Sequence, residues 1–204
     1  MHTLVIDCAT EACSVALFSS DGLIAGDCRV LGRGHAEQLV PMIAALPGKG
    51  RADRIAVALG PGSFTGVRVG LAAARALAFA WGAEMSGYPS LSLVAAMARA
   101  EHPDAVTVCM TGGHGQWFVQ DFGPDGVALT SLASLTPLQA AGHRGAALVA
   151  GSQAEAMVAA RGSGTALPLL PDARSFLLLP QSALTNDTAP LYGRGPDAKL
   201  PGAA

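Results

Sequence analysis

Charged side chains are scarce in this chain. They make up 14% of its 204 residues, and 13 basic residues against 15 acidic residues leave a net charge of −2. Such a chain has no overall electrostatic attraction to a nucleic acid. Half of the residues are hydrophobic, which suffices for one sizeable core or for two small lobes. The same composition is consistent with an apolar surface reserved for a partner.

The usual residues of metal and disulfide sites are also missing. The four cysteines include no Cys-x-x-Cys pair, and no two of the five histidines have the spacing of zinc ligands. His35 is followed four positions later by Leu39, where a metalloprotease helix would need a second histidine. We therefore expect no metal site. Cys8, Cys28 and Cys109 lie in apolar, strand-like runs, which predicts buried free thiols.

Neither a leader peptide nor a membrane span is evident in the sequence. Met1 is followed directly by a strand-like pattern, without a basic segment or a cleavage site. The long alanine-rich stretch at residues 67–81 is interrupted by Arg68 and Arg75, which excludes a membrane helix. We expect a cytoplasmic protein that does not enter a membrane.

The segment from Gly60 to Gly70 is the most informative motif. It reads Gly-Pro-Gly-Ser-Phe-Thr-Gly-Val-Arg-Val-Gly and joins a strand-like run at residues 55–59 to a helix predicted at 67–81. Such a turn presents backbone N–H groups at a helix N-terminus, with Ser63 or Thr65 as the cap. No lysine follows the glycines as a P-loop requires. The motif fits either a nucleotide or anion loop or a tight turn without a ligand. With the end of the first strand included, the candidate residues are Asp7, Thr10, Gly60, Gly62, Ser63 and Thr65.

Small residues recur every four positions along the helix that follows this loop, so they share one face. Glycine inside a helix costs about 1 kcal/mol relative to alanine, and two glycines here predict a close contact. We expect that contact to be with a partner's helix, assisted by the apolar face of a helix at residues 35–46. Packing on the protein's own sheet is the alternative. The predicted interface residues are His35, Leu39, Met42, Ile43, Gly66, Gly70 and Ala74.

The remaining pattern indicates two similar halves. Three strand-like runs open the chain between residues 4 and 31, and from residue 105 the pattern restarts with three more, the last at 127–130. We expect an N-terminal lobe over residues 1–100 and a smaller, degenerate lobe over residues 101–204.

A helix is also predicted within the second half. Ser152 and Glu155 have the Ser-x-x-Glu spacing of a capping box. They predict that a helix begins after Ser152 and continues to about residue 160.

Taken in order, these motifs resemble the TsaB/YeaZ family. The resemblance covers roughly the first hundred residues and thins after them. The segments that carry it are Leu4-Val-Ile-Asp-Cys-Ala-Thr10 with Cys13-Ser-Val-Ala-Leu17, Arg33-Gly-His-Ala-Glu-Gln-Leu39 with Pro41, Gly60 to Gly70, and Pro89-Ser-Leu91.

The resemblance implies an α/β fold of the actin-like (ASKHA, ribonuclease H-like) type. In that fold, duplicated lobes contain mixed sheets flanked by helices, here with a degenerate second lobe. The implied function is that of a non-catalytic scaffold or activator subunit. It would bind a TsaD-type catalytic partner for threonylcarbamoylation of the adenosine next to the anticodon in tRNA.

The resemblance also implies the partners. They are the TsaD-type subunit and a TsaE-type ATPase, with a homodimer when the chain is alone and with tRNA contacted only indirectly. No cofactor is expected to bind the isolated chain tightly, and ATP or ADP can occur only at the interface of the complex.

Two departures from related sequences bear on these expectations. ATP-using actin-like proteins carry Asp-x-Gly-Thr at the first turn, whereas Ala9 takes the glycine position here and its Cβ would crowd a phosphate. Asp7 then either binds a cation or stabilises its own turn. The family's acidic and basic residues at a later hairpin are replaced by Thr111, Gly113 and Gln116, so the interaction made there by relatives is in doubt.

An enzyme is the alternative interpretation, in the form of an ATP-dependent or metallopeptidase-like member of the actin-like superfamily. The sequence contains no nucleophile–base pair, no carboxylate pair and no Gly-x-Ser-x-Gly elbow. Ala9, Leu39 and the absent P-loop lysine argue against this alternative. We therefore expect no catalytic residues.

Overall fold

The structure is a computed structural model that describes residues 1–193. The end of the predicted second lobe, residues 194–204, lies outside the described residues. Within them, no helix is long and apolar enough to cross a membrane.

A five-stranded mixed sheet forms the first lobe. Its strands are β1 (Thr3–Asp7), β2 (Ala12–Ser19), β3 (Gly22–Val30), β4 (Arg54–Ala58) and β5 (Glu84–Tyr88). The spatial order is β3-β2-β1-β4-β5. The first three strands form the antiparallel meander that the sequence predicts, and β4 and β5 add to β1 in parallel. Since β1 is central and covered on both faces, its residues are almost uniformly apolar and buried.

Three helices accompany this sheet. They are α1 (His35–Ala45), α2 (Phe64–Trp81) and α3 (Ser90–Glu101). The Ser63 side chain caps α2 by accepting from the backbone N–H of Gly66, as predicted, although the helix begins three residues earlier than the sequence suggested. Helix α3 is shared between the lobes, because Leu93 packs in the first core and Leu91 in the second.

The second lobe contains a smaller sheet of the same design. Its elements are β6 (Val106–Thr111), β7 (Trp117–Phe122), β8 (Ala133–Leu135), α4 (Pro137–Ala141), β9 (Leu148–Ala150), α5 (Ala154–Arg161) and β10 (Thr165–Leu167). The spatial order is β10-β9-β6-β7-β8. Read from the meander side, it repeats the order of the first sheet with each strand in the corresponding place. The prediction of duplicated actin-like lobes with a degenerate second lobe is confirmed.

Two local predictions in the second lobe are wrong. Residues 127–130 form no strand, because only an isolated bridge joins Ala128 to Phe122, and the third strand of the meander is β8. Ser152 does not cap α5, because its Oγ instead accepts the backbone N–H of Thr111. The capping box belongs to α4, where Thr136 and Gln139 exchange hydrogen bonds.

The boundary predicted for the second lobe also requires correction. The second sheet ends with β10, and the chain then returns to the first lobe. The backbone N–H of Ala173 donates to Ser14 Oγ at 2.9 Å, Thr185 forms a bridge with Gly87, and Leu191 N donates to Leu59 O at 2.8 Å. Residues 173–191 therefore complete the first lobe rather than the second.

Candidate functional site

A cavity of about 940 Å³ lies between the two lobes. The first lobe lines it with the turn at residues 9–11 and with the start of α2, and the second lobe with residues 111–114 and Phe118. Residues 191–193 of the returning tail complete the wall. This size falls in the range of small-molecule sites.

The glycine loop reaches the cavity, but two of its backbone donors are used within the protein. Ser63 N–H donates to the carbonyl oxygen of Ala9 at 2.7 Å, and Gly66 N–H donates to Ser63 Oγ at 3.2 Å. A Cβ on Gly62 would overlap the same Ala9 oxygen. The loop is glycine-rich because it packs directly on the first turn, which agrees with the alternative of a tight turn without a ligand.

The six predicted loop residues do not assemble as one site. Thr10, Gly62 and Ser63 line the cavity, and the Thr10 hydroxyl accepts the N–H of Ala12 at 3.2 Å. The other three residues do not line it. Thr65 is exposed on α2, the carbonyl of Gly60 accepts the N–H of Ser90, and Asp7 lies beneath the turn.

Asp7 is part of the protein's interior and is only 1% exposed. Its Oδ1 accepts the N–H of Ala9 at 2.9 Å, and the Tyr88 hydroxyl lies 3.4 Å from Oδ2 and 3.3 Å from the carbonyl of Ile6. Burial raises the pKa of Asp7 to about 7, and the hydrogen bonds offset only part of that effect. This arrangement agrees with the turn-stabilising alternative rather than with a cation ligand.

The assignment of seven residues to a partner interface is wrong, because the structure buries all of them in the first lobe. Leu39, Met42 and Ile43 on α1 belong to its core. On α2, Gly66, Gly70 and Ala74 face the lobe's own sheet, so the alternative considered for this face is the one observed. A Cβ on Gly66 would overlap the carbonyl oxygen of Cys8, whereas a Cβ on Gly70 would contact side chains at 3.6–3.8 Å.

His35 connects α1 to the cavity turn. Its Nε2 lies 2.8 Å from the carbonyl oxygen of Thr10 and 3.3 Å from that of Ala12. Since both neighbours are acceptors, Nε2 carries the hydrogen and donates it. His35 therefore holds the turn at residues 10–12 from the buried side, and it is not part of an exposed interface.

Helices α1 and α2 are neighbours, and their exposed side chains include an apolar set that sequence reasoning missed. We call it the outer helical face, and its members are Ala36, Val40, Ala44, Ala72, Ala76 and Phe79. Val40 is 60% exposed and Phe79 is 92% exposed. Its sequence signal is apolar residues spaced three or four positions apart, out of phase with the buried set.

An aromatic cluster closes one side of the cavity. The rings of Phe64 and Tyr192 lie 5.7 Å apart between centroids. The Arg68 guanidinium carbon lies 3.5 Å from the Phe64 centroid, and Arg68 Nη2 donates to Tyr192 Oη at 3.3 Å. The cluster fastens the tail to the start of α2. No local pattern predicts it, because Arg68 and Tyr192 are far apart in the sequence.

The hairpin with the altered residues keeps its strand pairing. Thr111 pairs with Trp117 across β6 and β7, and the Gln116 side chain accepts from Ser134 Oγ at 2.8 Å. Thr111 and Gln116 thus make neutral hydrogen bonds at this hairpin. Across the part of the chain that the structure describes, no three His, Cys, Asp or Glu side chains are grouped to hold a metal ion.

Comparison with known proteins finds similarity to proteins named for threonylcarbamoyladenosine synthesis in tRNA. A family model described as tRNA N6-adenosine threonylcarbamoyltransferase (TsaD) matches residues 29–159, more than half of the chain. The tRNA threonylcarbamoyladenosine biosynthesis protein TsaB of Escherichia coli (strain K12) is 40% identical over 100 residues, which are 47% of this chain and 43% of that protein. TsaB of Bacillus subtilis (strain 168) is 33% identical over 104 residues, 48% of this chain and 45% of that protein. The matched segment thus spans less than half the length of these curated relatives.

Solved structures extend the likeness to the whole fold. YeaZ from Pseudomonas aeruginosa is 27% identical, with a TM-score of 0.77 over 94% of this chain and 99% of that chain. The ethanolamine utilization protein EutJ from Carboxydothermus hydrogenoformans, at 14% identity and a TM-score of 0.52 over 88% of this chain and 90% of that chain, shares the fold. By the match to the family model, the TsaB relatives and the YeaZ structure, this chain belongs to the TsaB/YeaZ branch of the TsaD family.

Proposed function

We propose that this protein is a non-catalytic subunit of the system that makes threonylcarbamoyladenosine in tRNA, and that it docks on a TsaD-type catalytic subunit through the outer helical face. The observation that carries the proposal is an exposed apolar helix pair on a member of the TsaB/YeaZ branch whose glycine loop is closed by its own chain.

The closed loop supports a role without catalysis. The N–H groups of Ser63 and Gly66, which could bind a phosphate, donate to Ala9 and to the Ser63 side chain. The second lobe repeats this closure, since Gln153 N–H donates to the carbonyl of Cys109 at 3.0 Å. Neither lobe therefore offers these donors to a nucleotide.

The outer helical face supports docking. Helices α1 and α2 are in contact, so their exposed alanines, Val40 and Phe79 belong to neighbouring helices. Small residues allow another helix to approach closely, and Phe79 supplies an aromatic anchor of the kind that dominates interfaces. Two nearby charges are already engaged, because Arg75 donates to the Thr188 carbonyl and Arg68 to Tyr192.

The choice of occupant follows from shared ancestry. A TsaD family model matches this chain, so a TsaD-type subunit contains a related helix pair. Two related pairs can meet face to face as in a two-fold dimer. A homodimer through the same face is the competing outcome for the isolated chain.

The remaining assignments belong to the same proposal. The protein works in the cytoplasm, contacts tRNA only through its partner and leaves ATP hydrolysis to a TsaE-type ATPase. ATP or ADP would meet this chain only at the interface of the complex.

The test is co-purification of the full chain with the TsaD-type subunit from the same cell. Val40→Asp and Phe79→Asp place a charge on the outer helical face and should weaken association at least about tenfold, roughly 1.4 kcal/mol. Leu138→Asp, at a residue that is 85% exposed on α4, is the matched control and should bind normally. All three variants should melt like the wild type, because the altered side chains are exposed.

Unchanged association of both outer-face variants would overturn the docking surface. If only self-association disappears, the face is a homodimer interface. ATP turnover by the isolated chain would contradict the non-catalytic role, provided that Asp7→Ala abolishes it.

A further inference from the structure

Two of the four cysteines face each other at the end of the β1–β2 hairpin. Asp7 and Ser14 are the last cross-strand partners of the two strands, so Cys8 and Cys13 are the next opposed residues. Their Sγ atoms lie 3.5 Å apart, and both residues are buried. The described cysteines are all free thiols.

The two sulfur atoms are chemically unequal. The two thiols share a hydrogen bond, which lowers the pKa of Cys13, an effect that burial only partly offsets. The same hydrogen bond, together with burial, raises the pKa of Cys8. Cys13 is therefore the nucleophile of the pair, and Cys8 stands next to it as a resolving thiol.

The other two cysteines differ from this pair in position and in pKa. Cys28 on β3 is the cross-strand partner of Ser14, so its side chain lies on the face opposite to Cys13, and burial raises its pKa to about 11. Cys109 lies in the second lobe, where burial raises its pKa to about 12. They serve as internal controls.

We propose that Cys8 and Cys13 form an oxidation site, which hydrogen peroxide or another small hydroperoxide converts reversibly into an intramolecular disulfide in the folded protein. A disulfide of about 2.05 Å requires the two sulfurs to approach by about 1.5 Å, which side-chain rotation at opposed positions of one hairpin can supply.

The chemistry balances with one peroxide. The Cys13 thiolate attacks one oxygen, the O–O bond breaks, and the leaving hydroxide takes the proton released by the Cys13 thiol to become water. Cys8 sulfur then attacks the sulfenic acid on Cys13. The S–O bond breaks, and the second hydroxide leaves as water with the Cys8 proton. Two thiols are oxidised to a disulfide while the peroxide is reduced to two waters.

Access comes from the cavity. Residues 9–12 connect the two cysteines, and the first three of them line the cavity wall. Local opening of this turn exposes the thiols to a molecule as small as a peroxide. The disulfide would lie beneath α2, because Cys8 contacts the helix at Gly66 and Gly70. Oxidation would thus lock the turn between the cavity and the helix.

The experiment treats the folded full-length protein with hydrogen peroxide and then blocks the remaining thiols with iodoacetamide in denaturant. Glutamyl endopeptidase cuts after Glu11, between the two cysteines. We expect mass spectrometry to find the peptide that ends at Glu11 joined to the peptide that begins at Ala12. Dithiothreitol should separate them. The pair should lose its thiols at least about tenfold faster than Cys109 does.

Variants identify the bond. Cys28→Ser and Cys109→Ser should keep the cross-link, whereas Cys13→Ser should abolish it and leave the Cys8 thiol alkylated. In Cys8→Ser, dimedone should trap a sulfenic acid on Cys13. Equal loss of all four thiols, or intact Cys8 and Cys13 after Cys28 and Cys109 have reacted, would overturn the proposal. These wild-type rates decide the matter even if a variant does not fold.

Discussion

The two lobes have the same strand order but differ in the amount of structure around it. The strands of the first lobe have five to nine residues, and α2 has 18 residues. In the second lobe three of the five strands have three residues each, and α5 has eight. The outer helical face belongs entirely to the first lobe.

One feature survives in both lobes in spite of this reduction. Ser63 N–H donates to the carbonyl of Ala9, and Gln153 N–H donates to the carbonyl of Cys109. In each case a nearby glycine, Gly62 or Gly151, has no room for a Cβ beside that carbonyl. The shortened lobe keeps this contact although most of its strands and its helices are reduced, which indicates that the contact serves the fold. The glycine loop is a device for joining a helix to the first strand.

The largest expected difference between the lobes is in the pH dependence of stability, and it comes from Asp7. Strand β1 ends in this buried acid, whereas β6 contains no acidic residue. The pKa of Asp7 is raised from 3.8 to about 7 by burial, so the folded protein keeps a proton that the unfolded chain releases. The contribution of Asp7 to the free energy of unfolding should be greatest below about pH 4 and should fall by about 4 kcal/mol as the pH rises through 7. Urea titrations of the wild type and Asp7→Asn at several pH values measure this.

Asp7→Asn should lack this fall in stability. Asp53→Asn, at an exposed acid whose pKa is lowered mainly by the backbone N–H of His2, should retain it. An equal fall in Asp7→Asn and the wild type would assign the pH dependence to other groups.

Gly62→Ala and Gly151→Ala test whether the contact with the Ala9 carbonyl and the contact with the Cys109 carbonyl are equally important for stability. In each variant the new Cβ meets a backbone carbonyl that cannot move freely, so each should lose about 3 kcal/mol of stability. Gly151 also has a φ of 119°, which adds strain for alanine. Chemical denaturation gives the values. Gly142→Ala, where the nearest atom is 3.5 Å away, is the control. A loss of stability in Gly62→Ala but not in Gly151→Ala would show that the two lobes do not depend on this contact in the same way.

Asp121→Ala tests whether the second lobe depends on buried polar contacts more than the first lobe does. Asp121 accepts from Thr107 Oγ1 at 2.6 Å and contacts His143 Nε2 at 2.8 Å. Removing the carboxylate leaves the buried Thr107 hydroxyl without its acceptor, at a cost of about 2 kcal/mol. Thermal melting measures the loss. Asp125→Ala, in an exposed turn, should change stability by about 0.5 kcal/mol or less; similar losses in both variants would contradict the role of the buried cluster.

Gly70→Ala should have the smallest effect. Its Cβ would make ordinary contacts with Cys8, Val57 and Ile6, and alanine favours the helix over glycine by up to about 1 kcal/mol. The variant should be as stable as the wild type or slightly more stable in denaturant titrations. Gly66→Ala on the same helix should be less stable. A destabilised Gly70→Ala would show that α2 lies closer to its sheet than described.

The sequence predicts the first lobe well because its elements have strong local signals. Alternating and continuous apolar runs define β1 to β5, and the Ser63 cap defines the start of α2 to within one turn. The restart at residue 105 correctly indicates a second copy. Its three-residue strands are too short to carry a pattern, which explains the misplaced strand at 127–130.

The errors at the site have a different cause. Periodicity shows that Leu39 and Ile43 share a face, but a core and an interface are equally apolar, so the pattern does not tell which surface meets that face. The hydroxyl of Ser152 is taken by Thr111, a contact that spacing does not reveal. The pairing of Arg68 with Tyr192 depends on the returning tail, for which no local signal exists.

The returning tail has a consequence for synthesis on the ribosome. Ser14 and Leu59 emerge early, yet their hydrogen-bond partners Ala173 and Leu191 come near the end of the described chain. At bacterial and eukaryotic rates of elongation the wait is on the order of ten seconds. During that time the first sheet lacks the cover that residues 173–191 provide. The lobe that is made first is therefore the one that is finished last.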